Sequence, residues 1–258
     1  MNHKSLNILA LIPARGGSKS VPRKNLLPML GHPLISWSIK QGQKSTLITR
    51  TIVSTDDNEI ADVANNYGAE IPFMRPKELA QDQSPDIDTF QHALNWLDTH
   101  ENYRPDLVVH LRPTGPARKV SIIDNAIQLI ADTPSADSLR SVSLASQTPY
   151  KMWFINNDKT LRPVITLEGV KESHSIARQM LPKAYWQNGY VDIIKPETIL
   201  AGNSMVGNKA LSYIIDQPVC DVDYLDDIPI VESALKQILE SPDTNKHAEN
   251  EITERFPV

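Results

Sequence analysis

The stretch ALIPARGGSKSVPRKN, residues 10–25, joins an apolar run to a loop that holds two glycines and four cationic side chains. The apolar run, LNILALI at 6–12, has the length and composition of a buried β-strand. The chain of 258 residues has a formal net charge of −5, so this excess of positive charge is local. We therefore expect the loop to bind an anion directly after the first strand.

Short apolar runs alternate with amphipathic segments along most of the chain. Further strands are predicted at 51–55, 70–74, 106–112, 137–145, 190–194 and 211–216. Helices are predicted at 33–44, 56–68, 86–98, 119–132 and 227–240, the second of them starting with a capping box formed by Asp56 and Glu59. This alternation predicts a doubly wound α/β fold, with a mainly parallel sheet and helices on both of its faces. Ligands of such sheets bind beyond the carboxyl ends of the strands, where the 10–25 loop would lie.

The alternation stops between residues 146 and 187. This segment contains several large aromatic side chains and is too long for a simple surface loop. We interpret it as an inserted dimerisation segment that packs on a partner subunit, with a lid on the same chain as the alternative. The rest of the sequence favours a single domain over 1–258, and its polar tail at 241–258 is expected to fray.

Composition argues against several classes of protein. A general nucleic-acid-binding protein normally presents a basic surface, and this chain is acidic. A single cysteine, Cys220, cannot form an internal disulfide and fits a reducing compartment. The first apolar run has about seven residues, which is short for a signal peptide and too short to span a bilayer. We therefore expect a cytoplasmic protein that binds neither nucleic acid nor membrane.

The 10–25 loop differs from the two common phosphate-binding loops. It lacks the glycine spacing of both the P-loop and the dinucleotide fingerprint. Gly16 and Gly17 nevertheless allow backbone N–H groups to approach an anion closely. Arg15 can donate paired hydrogen bonds to phosphate oxygens, and the lysines add point charges. A phosphate site is the favoured interpretation, and a solvated basic loop is the alternative.

A pair of carboxylates lies near the C-terminus, in DVDYLDD at 221–227. In an extended chain the side chains of Asp221 and Asp223 point to the same face. Two neighbouring carboxylates repel each other unless a cation or a proton intervenes. Mg²⁺ commonly binds one or two carboxylates together with substrate phosphates. We predict that this pair binds Mg²⁺, and that Asp226 or Asp227 caps the final helix.

Several blocks of the sequence together resemble one known family. IPARGGSKSVPRKN (12–25) resembles the N-terminal signature of the acylneuraminate cytidylyltransferases, the CMP-sialic acid synthetase family. Similar blocks follow in the family's order, namely RPKELAQD (75–82), LRPTGPAR (111–118), ARQMLPKAYWQNGYVDII (177–194) and DVDYLDD (221–227). The resemblance implies a doubly wound domain with an inserted dimerisation segment. It also implies transfer of CMP from CTP to the anomeric hydroxyl of an acidic nine-carbon sugar, with release of pyrophosphate.

The resemblance also implies roles for single residues. Arg15 and Lys24 would hold the CTP phosphates and, together with Asp223 at the metal, form the catalytic group. Other nucleotide contacts would come from Ala14, Asn25 and Arg75. Sugar contacts would come from Arg112, Lys151, Arg178 and Asn188. Of these, Lys151 and Arg178 belong to the inserted segment and would reach the sugar site of a neighbouring subunit.

The chain departs from the family pattern at two positions. Arg112 stands where sialate-using members usually carry glutamine, in a block that reads PTGPAR rather than PTSPLR. An arginine can bind a carboxylate or a phosphate bidentately. Asp86 stands where a small hydroxyl residue is usual. The acceptor therefore stays open between sialic acid, a relative such as legionaminic or pseudaminic acid, and another acidic sugar.

Two other functions share the same motifs. A nucleotidyltransferase that acts on a phosphorylated sugar or alcohol would need the same glycine-rich basic loop and metal carboxylates. A catalytically silent nucleotide-binding regulator would also need the loop, but the intact Arg15, Lys24, Asp221 and Asp223 argue against it. His110, near the end of a predicted strand, is expected to be a packed or hydrogen-bonded histidine rather than a site residue.

Overall fold

A central β-sheet organises the chain. The computed structural model describes residues 6–241. In chain order the strands are β1 (Ile8–Pro13), β2 (Pro28–Met29), β3 (His32–Pro33), β4 (Arg50–Ser54), β5 (Leu107–His110), β6 (Ser138–Leu144), β7 (Trp153–Ile155), β8 (Leu161–Pro163), β9 (Tyr185–Ile194) and β10 (Ala210–Ile214). The α-helices are α1 (Leu34–Lys44), α2 (Asn58–Asn66), α3 (Asp86–Glu101), α4 (Val120–Ala131), α5 (Pro196–Leu200) and α6 (Ile228–Glu240). Within residues 6–241, no helix combines the length and apolar character needed to cross a membrane.

Six strands form the main sheet, in the order β10-β6-β9-β5-β1-β4. Strand β1 is parallel to β4 and β5, and β10 is parallel to β6. The predicted mainly parallel sheet is therefore confirmed. Strand β9 is the exception, since it runs antiparallel to both β5 and β6. The chain leaves β6 at its carboxyl end and returns through the inserted segment at that same end, so its next strand runs backwards.

Apolar side chains cover both faces of the sheet. Along β1, Ala10 and Ile12 belong to the cluster that includes buried residues of α1, α2 and α4. Leu9 and Leu11 point to the opposite face and pack with α3 and α5, where Phe90 is fully buried. This alternation with a period of two places β1 in the middle of the core. The prediction of helices on both faces is confirmed.

A third apolar cluster joins the two ends of the described chain. Val231 and Leu235 of α6 pack with Trp37 of α1 and with Val222. Val222 is fully buried. This packing fixes the 221–227 segment beside the first loop.

The predicted strand at 70–74 does not form. Glu70 makes a single parallel bridge to Ile52, and the ladder goes no further. Proline at position 72 has no N–H to donate, which prevents continued pairing on that side.

The capping box predicted from Asp56 and Glu59 is also wrong. The N-cap residue of α2 is Asp57, whose carboxylate accepts a hydrogen bond from the N–H of Ile60. The carboxylate of Asp56 instead accepts the N–H of Gly16, at 2.9 Å. Tertiary contact with the first loop thus decides which aspartate caps the helix.

The segment 146–187 protrudes from the alternating pattern without any α-helix of its own. It contains the β7–β8 hairpin and three 3-10 turns, and its last three residues already belong to β9. Its apolar side chains are unusually exposed, with Ile155 at 76% and Met180 at 75%. Its predicted role in dimer formation stays a prediction. The predicted frayed tail, 241–258, lies outside the described residues apart from Ser241.

Candidate active site

A cleft of about 620 Å³ opens at the carboxyl ends of β1 and β5. Its walls come from the loop after β1, from the segment between β4 and α3 with the first turn of α3, and from the loop after β5. The predicted site residues that line it are Arg15, Gly17, Lys24, Asn25, Arg75 and Arg112. The first loop therefore lies where the strand pattern places it, and the fold brings three distant segments to it.

The two glycines of the first loop have different surroundings. A Cβ on Gly16 would lie 2.7 Å from Oδ2 of Asp57, so this position needs glycine for close packing. The N–H of Gly16 is already bound by Asp56. Gly17 lines the cleft, and no atom lies within 4 Å of the position of its Cβ. The cleft is therefore open on the side of Gly17 where a side chain would stand.

Arg23 stabilises the loop from outside the cleft. It has a left-handed backbone conformation, with φ at 54°, and its guanidinium contacts Asp57 and Glu59, both at 2.5 Å. The hydrogen bond to Asp57 raises the pKa of Arg23 and correspondingly lowers the pKa of Asp57. These pairs anchor the loop to α2, so Arg23 contributes to its shape rather than to the cationic wall.

Arg15 and Lys19 share a carboxylate across the cleft. Nη1 of Arg15 lies 2.8 Å from Oδ1 of Asp82, and the Lys19 ammonium contacts the other oxygen. These two cations, Lys19 first, lower the pKa of Asp82. The side chain of Asn25 donates to the carbonyl of Arg15 at 2.9 Å and so orients that residue. Asp82 therefore holds the side chains of Arg15 and Lys19 next to each other on the wall of the cleft.

Lys24 connects the first loop to the 221–227 segment. Its ammonium donates to the carbonyl of Val222 at 2.8 Å and to the carbonyl of Asp223 at 3.3 Å. It also lies 3.6 Å from Oδ1 of Asp223. The side chain of Lys24 is 11% exposed, whereas that of Asp223 is 70% exposed. The predicted phosphate cation and one of the predicted metal carboxylates are thus neighbours.

Asp221 occupies a pocket that a glycine leaves open. A Cβ on Gly115 would overlap Oδ1 of Asp221 and would come within 3.1 Å of Nη2 of Arg118. Burial raises the pKa of Asp221, and the negative charge of Asp223 raises it further, while Arg118 opposes both. The carboxylate of Asp221 therefore fits at this position only because Gly115, the glycine of the PTGPAR block, has no side chain.

The Asp221 and Asp223 pair suits a hard cation with further ligands from a substrate. Over residues 6–241, no group of three or more His, Cys, Asp or Glu side chains is arranged to hold a metal. Two carboxylates with mutual repulsion match the donor set that Mg²⁺ shares with phosphates and water. The N–H of Val222 donates to the carbonyl of Thr114 at 2.8 Å, which holds the pair against the loop after β5.

Asp227 supports the turn at Asp223 and does not cap α6 through its side chain. Its carboxylate accepts the N–H groups of Asp223 and Tyr224, at 2.8 and 2.7 Å. These bonds lower the pKa of Asp227. Asp227 is the N-cap residue of α6, as predicted, although its carboxylate bonds the turn before the helix and not an N–H of α6.

A buried carboxylate holds Arg112 at the floor of the cleft. Nη1 of Arg112 lies 2.7 Å from Oδ2 of Asp192, and Nη1 of Arg140 lies at the same distance from that oxygen. Asp192 is completely buried. Gly189 has φ at 67°, where a side chain would be strained, and a Cβ at this position would lie 3.3 Å from Nη1 of Arg112. The floor therefore carries more positive than negative charge.

Comparison with known proteins identifies the family. Residues 9–180, two thirds of the chain, match the sequence model of a family described as cytidylyltransferase. The chain belongs to the cytidylyltransferase family. The predicted family and the predicted CTP-dependent nucleotidyltransferase are both confirmed by this match.

Relatives of this cytidylyltransferase have names that refer to acidic sugars. Pseudaminic acid cytidylyltransferase from Campylobacter jejuni is 30% identical over 233 residues, covering 88% of this chain and 96% of the relative. CMP-N,N'-diacetyllegionaminic acid synthase from the same species is 30% identical over 226 residues, covering 87% and 93%. The solved structure of CMP:2-keto-3-deoxy-manno-octonic acid synthetase complexed with CTP has a TM-score of 0.67 at 15% identity, covering 90% of this chain and 99% of that one. This last likeness shows a shared fold.

Two buried arginines of the cytidylyltransferase were missed by reasoning from sequence. Arg118 is 3% exposed and donates to the carbonyls of Tyr190 and Arg112, at 2.5 and 2.6 Å. Burial lowers its pKa to about 10. Arg140 pairs with the equally unforeseen Asp192. One feature of the sequence indicates a buried partner for such arginines: the charged Asp192 interrupts the otherwise apolar run YVDII.

Arg75 is another buried cation of the site. It is 6% exposed and donates to the hydroxyl of Thr89 at 2.9 Å and to the carbonyl of Ser54 at 3.1 Å. Burial lowers its pKa. Asp86, which departs from the family pattern, lines the same wall.

Besides Gly16 and the Asp221/Asp223 pair, four predicted site residues are not among those that line the cleft. Ala14 is buried in the core, and its N–H donates to the carbonyl of Ser54. Asn188 is 1% exposed, and its amide binds Ser143 and the N–H of Tyr190. Lys151 and Arg178 are exposed on the inserted segment. Their roles toward nucleotide and sugar stay predictions.

Proposed function

We propose that this cytidylyltransferase transfers CMP from CTP to the anomeric hydroxyl of an acidic nonulosonic sugar and releases pyrophosphate. One observation carries the proposal. A single cleft combines the cationic loop after β1 with Arg112, which Asp192 holds in place. A triphosphate and a sugar carboxylate can therefore be bound side by side. The names of the Campylobacter relatives support a nonulosonic acceptor.

The nucleotide half of the site is assigned to the first loop and its neighbours. Arg15 and Lys24 bind the phosphates of CTP, and the open backbone at Gly17 adds N–H donors. Asn25 orients Arg15 through its carbonyl. Arg75 contributes a further buried cation. Charge-assisted bonds of this kind contribute about 1.5–3 kcal/mol each.

Asp221 and Asp223 are assigned to Mg²⁺. The ion would neutralise phosphate charge, which is its usual contribution to phosphoryl transfer. The raised pKa of Asp221 means that this carboxyl gains more from a bound cation than an exposed one would. Gly115 and Thr114 keep the two carboxylates at the edge of the cleft.

The reaction is an in-line displacement at the α-phosphorus. A bond forms between the anomeric oxygen and that phosphorus, the bond to pyrophosphate breaks, and the proton of the anomeric hydroxyl leaves to solvent. Arg15 and Lys24 stabilise the charge that develops on the phosphate oxygens and on the leaving group. Positioning supplies much of the remaining rate, because the cleft holds both substrates at once.

A homodimer is proposed for the inserted segment. Exposed apolar surface of this extent usually marks a contact with another protein. The apolar side chains at least 40% exposed between 146 and 187 are Met152, Phe154, Ile155, Leu161, Val164, Ile165, Met180 and Trp186. In such a dimer Lys151 and Arg178 can reach the partner's acceptor site. A single cysteine further favours a cytoplasmic location.

The decisive test is pyrophosphate release from CTP and Mg²⁺ with a panel of acceptors. The panel contains sialic, legionaminic and pseudaminic acids and several sugar phosphates. We expect turnover with at least one nonulosonic acid and none with the phosphates. Turnover with a sugar phosphate alone would establish the rival transferase. CTP binding without release for any acceptor would establish the silent regulator.

A further inference from the structure

His110 lies at the floor of the cleft, and its imidazole makes no hydrogen bond among the described residues. It is 1% exposed, and it is among the residues that line the cleft. Neither ring nitrogen has a hydrogen-bond partner among the described residues. One face of the environment is apolar, since the ring of Phe90 lies 4.8 Å away, centroid to centroid. Buried polar groups are nearly always hydrogen-bonded, so two unpaired nitrogens indicate a missing ligand or water.

The position of His110 in the sheet assigns it to the acceptor side. His110 on β5 is the register partner of Asp192 on β9, which is in turn the partner of Arg140 on β6. This row extends away from β1, whose loop carries the phosphate-binding cations. Arg112 follows His110 by two residues and joins the row through Asp192. Oδ1 of Asp192 also lacks a hydrogen-bond partner among the described residues.

Charge decides what His110 can bind. Burial, together with the charges of Arg112, Arg140 and Arg118, keeps its pKa well below the ordinary value. The imidazole is therefore neutral, with one nitrogen as donor and the other as acceptor. Such a group matches a hydroxyl or an amide, which also donate and accept. A sugar carboxylate is better matched by the neighbouring Arg112.

We propose that His110 is a specificity residue for the acceptor, and that its imidazole hydrogen-bonds an uncharged hydroxyl or acylamido substituent of the acidic sugar. This inference rests on the proposed function and adds the part of the sugar that is recognised. Arg112 binds the charge common to all acidic sugars, whereas His110 distinguishes among them by a neutral substituent.

The test compares His110→Leu, which removes both polar atoms, with His110→Gln, which keeps a donor and an acceptor. For His110→Leu we expect KM for the best acceptor to rise about tenfold, which is the change expected when one buried hydrogen bond is lost. KM for CTP should stay within about twofold of the wild-type value. His110→Gln should recover most of the loss. An equal change for CTP and acceptor, or no change for either, would overturn the inference.

Acceptor analogues separate direct contact from a change in the fold. Each analogue lacks one hydroxyl or acylamido group of the best acceptor. For the analogue that lacks the recognised group, wild type and His110→Leu should show the same KM. A penalty that persists for every analogue would mean that His110 acts on the structure alone, and the inference would fall.

A measurement on the wild type does not depend on how the variants fold. The imidazole ¹⁵N signals of His110, assigned by their absence in His110→Gln, should shift when the acceptor is added in the presence of CDP. Unchanged signals under saturating acceptor would refute the contact. Failure of the proposed function is a different result, because the wild type itself would then release no pyrophosphate with any nonulosonic acid.

Discussion

Single side chains of this cytidylyltransferase join parts of the chain that are far apart in sequence. Lys24 reaches the carbonyls of Val222 and Asp223 across about two hundred residues. Its ammonium is thereby fixed between the cationic loop and the carboxylate pair. These contacts explain why a lysine suits the position, while its role toward the CTP phosphates stays a prediction.

Lys24→Ala and Asp223→Ala are expected to lower kcat/KM for CTP about 100-fold, because each removes a charge placed at the reacting phosphates. Asp223→Ala should fold like the wild type, since its side chain is 70% exposed, whereas Lys24→Ala should fold with a lower Tm, because its 11% exposed side chain donates to two carbonyls. Lys19→Ala is the control, because that side chain is 83% exposed and should have a smaller effect. Near-normal pyrophosphate release by either variant would refute its assignment.

Gly115→Ala is expected to displace Asp221, because the added Cβ would overlap its Oδ1. The Mg²⁺ concentration for half-maximal activity should rise several-fold, which is roughly the change expected when one charge-assisted contact is lost. Gly42→Ala is a matched control, since its Cβ would lie 2.7 Å from Oγ1 of Thr51, away from the site. The control should lower Tm without changing the Mg²⁺ requirement. The same metal dependence in both variants would contradict the role given to Gly115.

Arg23→Ala should lower the free energy of unfolding by about 1 kcal/mol at neutral pH, the value for a partly exposed pair. The pKa of Asp57 is depressed in the folded state, so the stability from this pair is present above its unfolded pKa and is lost as pH falls through the folded value. The difference between wild type and variant should therefore shrink towards about pH 3. Urea unfolding of wild type and variant at neutral pH and at about pH 3 measures this difference in the free energy of unfolding. Arg104→Ala, at an exposed pair with Asp98, should change little.

At the scale of elements, β9 and the inserted segment before it distinguish this sheet from a uniformly parallel one. Strand β9 carries Asp192 to the guanidinium of Arg112, which lines the cleft, and pairs with β6 across a register shift near Arg140. The bend at Gly189 lets the Arg112 guanidinium lie against the strand. The direction of β9 follows from where the insertion returns the chain, which hydrophobic periodicity does not reveal.

The hairpin of the insertion makes the dimer testable. Ile155→Lys combined with Leu161→Lys should convert the dimer to monomer in size-exclusion chromatography with light scattering, because charge would replace exposed apolar surface. If Lys151 and Arg178 serve the partner's site, KM for the acceptor should rise as well. Ile230→Lys on α6, which is 63% exposed, is the control and should remain dimeric. A wild type that is monomeric would refute the proposed dimer.

At the scale of the whole molecule, the cleft exists only in the folded chain. Its walls come from segments near residues 15, 80 and 112, and Lys24 ties them to the carboxylate pair near the C-terminus. A ligand that needs all of these segments binds the native state and not the unfolded one, so it stabilises the fold by mass action.

CTP with Mg²⁺ at about 100 times Kd should therefore add about 2.7 kcal/mol of stability and raise Tm by several degrees. Asp221→Asn should weaken this rise, because one of the two proposed metal ligands loses its charge. ATP with Mg²⁺ is the matched control, since it carries the same triphosphate with a different base. Equal stabilisation by both nucleotides would show that the cleft binds phosphate without selecting cytosine.

The sequence by itself determined the fold class, the position of the cationic loop after β1 and the carboxylate pair, and its resemblance to known blocks determined the family. These features depend on local patterns: apolar periodicity, glycines beside cations, and two aspartates spaced by one residue. Only the tertiary structure decided that Asp57 rather than Asp56 caps α2, that β9 runs antiparallel, and that Asn188 is buried against Ser143. It also placed His110 in the wall of the cleft, with no hydrogen-bond partner for its ring nitrogens among the described residues, and paired the cleft residue Arg112 with the buried Asp192, which also binds Arg140. Arg112 and Asp192, for example, are 80 residues apart, and no local pattern records which side chains packing will bring together.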